Sequence, residues 1–328
     1  MIILFVFTCI EMSGQDPQFS MFYSNSLYLS PSFAGVNHQT ELNLSHRTQW
    51  YTAGQYITHT ASYDMYIENM NSGVGVLFLN DVAGTGNLST INVGLIYNYQ
   101  IKLNDNFTLI PAMNFSYYQR SIDYYRLIWA DQLMRENQGF LPPTSEPISF
   151  NTVKDIDFST SILLYNEKYW IGTSFDHLLK PNESLYFQKY SDENLAIIPI
   201  KYQLYGGVQI IKRERLINRY PTKFQIAFLY KQQGEFKQLD LGAYYYHYNF
   251  VFGLWYRGIP ILPETSRDAV VIMTGFKTKA FNVGYSYDFT ISKLVGSTAG
   301  SHEINISYKF NYKVDKNRRR KMVPCSDF

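Results

Sequence analysis

Cysteine is scarce: 328 residues contain only Cys9 and Cys325. If residues 1–14 are removed as an export signal, a single cysteine remains and no internal disulfide forms. Charge is scarce as well. Asp, Glu, Lys and Arg make up 17% of the chain, against the ~25% usual for globular proteins. A net charge of +2 is too close to neutral for a nucleic-acid footprint. No apolar run reaches the ~18 residues of a membrane-spanning helix, and the mean hydropathy of −0.21 has the value of a soluble protein. Strands that cross a membrane escape such a measure, because half of each strand is polar.

Recognisable chemistry is missing too. The six histidines (His38, His46, His59, His177, His247 and His302) form no paired-ligand spacing, so no metal and no cofactor is expected. Gly73 and Gly75, like Gly84 and Gly86, read as turn and strand glycines, since no helix follows them to make a phosphate loop. Asn80 and Asp81 with the latter pair resemble a calcium loop only in its opening. His302–Glu303 lacks a placed serine and reads as a lumen hydrogen bond rather than half of an acid–base pair. An outer-membrane hydrolase is thereby disfavoured, and the expectation is a protein that is not an enzyme.

What is abundant is aromatic: 17% of the chain, with 29 Tyr and 23 Phe. The hairpin over residues 279–312 shows how they are used. Phe281, Val283, Tyr285, Tyr287, Phe289 and Ile291 alternate with Asn282, Gly284, Ser286, Asp288 and Thr290. Ile304, Ile306, Tyr308, Phe310 and Tyr312 repeat the pattern against Glu303, Asn305, Ser307, Lys309 and Asn311. Alternate strand residues face opposite sides, so one side is apolar and aromatic and the other polar. A soluble sandwich would serve for this hairpin alone; a membrane barrel suits its length and its Tyr and Phe better.

Fourteen such strands are predicted, at 41–50, 56–68, 73–81, 88–102, 107–120, 155–166, 168–178, 200–212, 222–232, 236–248, 250–257, 267–277, 280–291 and 301–312. Links after even-numbered strands are short, as at 69–72, 103–106 and 278–279, with 213–221 the exception. Links after odd strands run longer, as at 121–154, 179–199, 258–266 and 292–300. Outer-membrane barrels sort their loops in this way, with short turns in the periplasm. The fold class expected is therefore all-β, a transmembrane antiparallel β-barrel of about 14 strands in the outer membrane, both ends of the barrel sequence lying in the periplasm.

Four segments follow. Residues 1–14 read as a signal peptide lacking the usual basic start, with a cut before Gln15. Residues 15–36 have no sustained alternation but many aromatics, so they are expected to be ordered, at the periplasmic end or in the lumen. Residues 37–312 form the barrel, and 313–328 are a basic periplasmic tail around Arg318, Arg319, Arg320 and Lys321, a solvated end in preference to a docking peptide. Tyr97, Tyr99, Trp170, Trp255, Tyr256, Tyr285 and Tyr287 are candidates for the aromatic girdle. Asp64, Lys102, Asp240, Asp288, His302, Glu303 and Lys309 are assigned to the lumen, and Phe310 is the candidate terminal aromatic of the closing strand.

Nine stretches carry a resemblance to a known family. They are QDPQFSMFYSNSLYLSPSFAG at 15–35, RTQW at 47–50, LNDVAGTG at 79–86, YQRSIDYYRLIWADQ at 118–132 and HLLKPNES at 177–184. LYKQQGEFKQLDLGAYY at 229–245, GLWYRGIP at 253–260, YSYDFTISKL at 285–294 and HEINISY at 302–308 complete the set. Together they resemble the PorP/SprF family of type IX secretion and gliding-motility outer-membrane proteins of Bacteroidota. The resemblance implies a non-enzymatic barrel that supports secretion or surface attachment of a large cargo such as an adhesin. It also implies association with the periplasmic ring of the machinery, and it supplies no catalytic residues.

Partner contacts are expected on the long loops, where Trp129, Phe140, Tyr186 and Tyr190 (with Phe187) are aromatic anchors. Equally, those rings could close over the barrel mouth. Asp288, His302 and Glu303 are the second candidate surface, inside the lumen. An outer-membrane channel for a small solute is the alternative function.

Overall fold

The computed structural model describes residues 15–51, 55–133, 144–145, 152–185, 196–212, 222–258, 267–291, 300–310 and 323–324. Its strands are β1 Thr40–Gln49, β2 Tyr56–Ile67, β3 Ser72–Ala83, β4 Leu88–Tyr99, β5 Thr108–Ser121, β6 Thr152–Tyr165 and β7 Tyr169–Asp176. They continue as β8 Lys201–Lys212, β9 Thr222–Gln233, β10 Phe236–His247, β11 Phe250–Gly258, β12 Arg267–Lys277, β13 Phe281–Thr290 and β14 Ser301–Phe310. The two-residue run Ile101–Lys102 prolongs β4 beyond Gln100, so fifteen hydrogen-bonded runs make fourteen staves.

Every stave pairs antiparallel with its chain neighbours, and β1 pairs with β14 from Thr40↔Phe310 to Gln49↔Ser301. The sheet is therefore closed and has no free edge to fray or to recruit another chain. The predicted strands match the observed ones to within three residues at the ends of most. At the short-turn end, tight reversals such as Glu68–Asn71 use a left-handed Asn71 (φ 49°). The start of β1 and the end of β14 lie at that same end.

The alternation is inverted relative to a soluble fold. In β14, Ile304, Ile306, Tyr308 and Phe310 are 36–44% exposed, while Glu303, Asn305 and Ser307 are wholly buried. The same exposed apolar row continues around the barrel through Leu95, Phe115, Ile171, Leu254 and Ile272. An outside this apolar suits hydrocarbon, and the inside is polar because each strand needs somewhere to put its other face. Among the described residues no helix is long and apolar enough to cross a membrane.

The girdle expectation needs correction at two positions. Tyr97, Tyr99, Tyr256, Tyr285 and Tyr287 do face outward, but Trp170 and Trp255 are buried inside the barrel. Trp170 shares its side of β7 with Gly172, Ser174 and Asp176, and Trp255 shares its side of β11 with Gly253 and Arg257. Each ring lies flat over a cross-strand glycine. A Cβ at Gly207 would fall 2.5 Å from the Trp170 ring, and one at Gly242 would fall 2.1 Å from Trp255. Lys102 is exposed at the very end of its strand rather than in the lumen. Phe310 points outward at the end of the closing strand, edge-on to Tyr308.

Candidate functional site in the barrel lumen

The lumen is filled by the chain's own residues 15–36. Phe19, Met21, Phe22, Tyr23, Leu27, Leu29, Phe33 and Val36 form the core together with inward residues of the wall such as Leu163, Tyr205 and Met273. The segment holds one turn of helix, α1 Ser26–Leu29, and a 3₁₀ turn over Pro31–Phe33 started by Ser30, whose hydroxyl accepts from the Ser32 N–H. Such a short irregular piece has too few internal hydrogen bonds to stand alone, so the barrel wall supplies the rest.

Aromatic packing fixes the middle. Phe22 meets Trp255 edge-on with centroids 4.8 Å apart, and Tyr23 meets Trp170 at 6.0 Å while accepting the indole N–H at 3.2 Å. Phe33 lies 5.5 Å from Tyr205 nearer the short turns. Contacts of this kind contribute about 0.5–1.5 kcal/mol each beyond the burial itself. Lower still, Asn98 donates to the carbonyl oxygens of Pro31, Ser32 and Ala34, and the Gly35 N–H donates to Asp64 at 2.7 Å.

Charge fixes the segment nearer the long loops. Arg47 from β1 lies 2.8 Å from Asp288 and 3.2 Å from Glu303. Arg257 from β11 lies 2.9 Å from Asp288, all four side chains being at most 4% exposed. Ser20 sits in the middle of this quartet. Its hydroxyl donates to Asp288 at 2.7 Å and accepts from Arg47 at 2.8 Å and Arg257 at 2.9 Å. The Ser20 and Met21 N–H groups and the Asn25 amide all donate to Glu303. Buried charges persist only when paired and hydrogen-bonded, and here the segment completes the set.

A second cluster holds the first residues of the segment. Asp16 accepts from His177 at 2.9 Å and from Lys201 at 2.6 Å, while the other His177 nitrogen lies 2.8 Å from Asp157. Burial pushes the His177 pKa down, but the Asp16 carboxylate and the hydrogen bonds to Asp157 and Asp16 outweigh it and lift the group to about 10. Burial would raise Asp16, yet His177 and Lys201 hold it well below the usual carboxylate range. His177 and Lys201 both stand at the long-loop end. The segment therefore spans the lumen, with Asp16 near the long loops and Gly35 near the short turns.

Of the candidate residues, Asp288 and Glu303 face the lumen, where this chain's own segment occupies them. His302 does not join them. It points outward, where the Tyr285 hydroxyl and its Nδ1 are 2.8 Å apart, because it has the opposite parity to Glu303 on β14. Trp129 is half-buried before α2 Ala130–Leu133, its ring 6.0 Å from Tyr124. Phe140, Tyr186 and Tyr190 lie outside the described residues. Sequence reasoning missed Ser20, Arg47, His177, Lys201 and Arg257 as a set. Their signal was indirect: a charged residue on the small, polar side of a strand, as with Arg47 after Asn43 and Ser45. Val323 and Pro324 are buried, and Gln225 donates to the Pro324 carbonyl, so this part of the tail enters the barrel instead of being solvated. Among the described residues no group of three or more His, Cys, Asp or Glu could hold a metal ion.

Solved structures with related shapes include channels, a transporter and porins. The CymD monoaromatic hydrocarbon channel is 12% identical over 87% of this chain and 91% of its own, with a TM-score of 0.43. The toluene transporter TodX of Pseudomonas putida is 11% identical over 87% and 92%, also at 0.43, and the KdgM porin 8% identical over 82% and 99%, at 0.37. At these identities and scores the likeness informs neither substrate nor role. No curated protein matches the chain. The sequence profile of the type IX secretion system membrane protein PorP/SprF matches residues 11–308, nearly the whole chain, and the protein belongs to that family.

Proposed function

We propose that this outer-membrane barrel works as a plugged, non-enzymatic scaffold of the type IX secretion machinery, supporting secretion or cell-surface attachment of a large cargo protein such as an adhesin. The observation that carries this reading is the lumen itself, spanned from one end to the other by residues 15–36, which are locked in place by buried ion pairs. A passive open pore of the porin kind needs a continuous aqueous lumen, which residues 15–36 occupy here. One that presents a surface gains rigidity from being filled, and its long loops are then free to bind. In this orientation the short turns face the periplasm and the ring of the machinery, and the long loops face the cargo.

Two measurements test the proposal. Reconstituted in planar bilayers, the protein should show no stable conducting state; a sustained open pore would favour the channel alternative. In cells, replacing Trp129, Phe140, Tyr186 and Tyr190 together by alanine should release cargo from the surface, since aromatic anchors often contribute about 2 kcal/mol or more each. The variant must keep the heat-modifiable gel mobility of a folded barrel. Cargo held at the unmodified level would reject the loop-binding part.

A further inference from the structure

On the outer wall of the barrel two histidines meet across the first hairpin. His46 of β1 and His59 of β2 are exposed and stand directly opposite in the antiparallel register. They are 13 residues apart in the chain, so no short ligand spacing announces them, and only strand pairing brings them together. Their Nδ1 atoms lie 3.2 Å apart. Two imidazole nitrogens on one tetrahedral zinc, each at about 2.0–2.1 Å from the ion, stand about 3.3 Å from one another. The ring centroids are 4.7 Å apart with 38° between the planes. That is too close for a head-on N–H···N bond, in which the two rings extend end to end from the gap between the nitrogens. The nitrogens are nearer to each other than the ring centres are, so the rings converge towards Nδ1.

The far side of His46 is held as well. Thr48 Oγ1 lies 3.1 Å from the His46 Nε2. Accepting the Nε2–H there fixes the tautomer that leaves Nδ1 bare, and a metal-ligating histidine is oriented in the same way, its second nitrogen donating to an oxygen. The pair sits where the outward apolar row of its hairpin ends. Leu44 and Tyr63, on the same faces towards the short turns, are 45% and 42% exposed, whereas Thr48 and Asn80 are the polar neighbours. Water reaches this edge of the apolar band. Among the described residues no third His, Cys, Asp or Glu joins the two rings, so oxygens of water complete the coordination.

We propose that His46 and His59 form a binding site for one divalent transition-metal ion, zinc or copper, held through both Nδ1 atoms. Imidazole suits these ions, whereas calcium and magnesium take oxygen ligands. The bound ion ties β1 to β2 on the outer face. The site lies outside the lumen and apart from the loop surfaces assigned to cargo, so the cargo and bilayer tests leave it untouched.

The test uses full-length protein purified without a histidine tag. Calorimetry follows zinc chloride, with calcium chloride as the comparison, and electron paramagnetic resonance follows Cu(II). Saturable zinc binding at one ion per barrel is expected, in the micromolar range, together with a Cu(II) signal coupled to two imidazole nitrogens. Loss of an orienting partner alone commonly costs 10–100-fold in metal affinity, so His46→Gln and His59→Gln, which each remove a ligand, should weaken binding about tenfold or more. Each should also reduce the Cu(II) coupling to a single nitrogen. The two variants sit on different strands, so misfolding of one, seen as loss of the heat-modifiable shift, leaves the other to decide. No saturable zinc or copper binding below about 1 mM overturns the proposal and leaves the pair as a hydrogen bond between two tautomers. So does metal binding that a folded variant leaves unchanged, or calcium binding as tight as that of zinc.

Discussion

Asp288→Asn should unlock the plug. Asp288 is the acceptor on which Arg47, Arg257 and the Ser20 hydroxyl converge at 2.7–2.9 Å, with almost no exposure. The amide keeps the shape and one acceptor but removes the charge. Breaking a buried pair in this way costs about 3–5 kcal/mol. Glu303, 3.2 Å from Arg47, and Asp240, 3.7 Å from Arg257, remain as partial compensation, which puts the effect at the lower end, about 3 kcal/mol. Most of that penalty disappears once residues 15–36 leave and water reaches the arginines. The substitution therefore shifts the plugged–unplugged equilibrium and leaves the closed hydrogen-bond ladder intact. At 1.4 kcal/mol per decade the released population rises about 100-fold. Phe19, Phe22, Tyr23 and Tyr28 are chymotrypsin sites within the plug, the first three buried and Tyr28 half-buried. Cleavage that samples a rapidly opening state tracks the open population. Chymotrypsin should thus cut the segment about 100-fold faster in the variant, with the gel shift of the barrel unchanged. A cleavage rate equal to that of unmodified protein would show that the buried quartet does not hold the plug.

Other consequences can be checked separately. Gly73→Ala would put a Cβ 2.0 Å from the Ala34 carbonyl oxygen, where only backbone can yield; the lower plug should loosen by about 1–3 kcal/mol, seen as faster cleavage after Phe33. His177, lifted from 6.5 to about 10, stabilises the top of the plug fully below pH 6.5 and loses that contribution as pH rises through about 10. Thiol labelling of a Gln18→Cys variant, divided by the labelling rate of free cysteine at the same pH to remove the thiol's own ionisation, should accordingly speed up over that window, and His177→Gln should flatten this ratio; a ratio profile unchanged by His177→Gln would refute the assignment. Because Trp170 and Trp255 point inward, brominated acyl chains should quench little of the tryptophan fluorescence. Strong quenching that vanishes in the Trp170→Phe, Trp255→Phe double variant would place the rings in lipid after all.

The fold was legible because a strand writes its two faces into the sequence at period two. In β13 and β14 nothing more was needed to see one apolar and one polar face, and the parity of the loops then turned a stack of hairpins into a barrel. The same rule applied residue by residue would have placed Trp170 and Trp255 inside and His302 outside; residue type, a tryptophan for a girdle and a histidine for a lumen, was the weaker guide. What period two cannot state is which side of a closed sheet meets which partner. Ser20 lies 268 residues from Asp288 and 237 from Arg257, and no local pattern relates them. Sequence alone fixed the strands, their faces and an aromatic-rich leader with no pattern of its own. Closure of β1 on β14 decided the rest. It put one polar face of every strand around a common axis, where Arg47, Arg257, Asp288 and Glu303 are buried and a piece of chain running down the middle completes their hydrogen bonds.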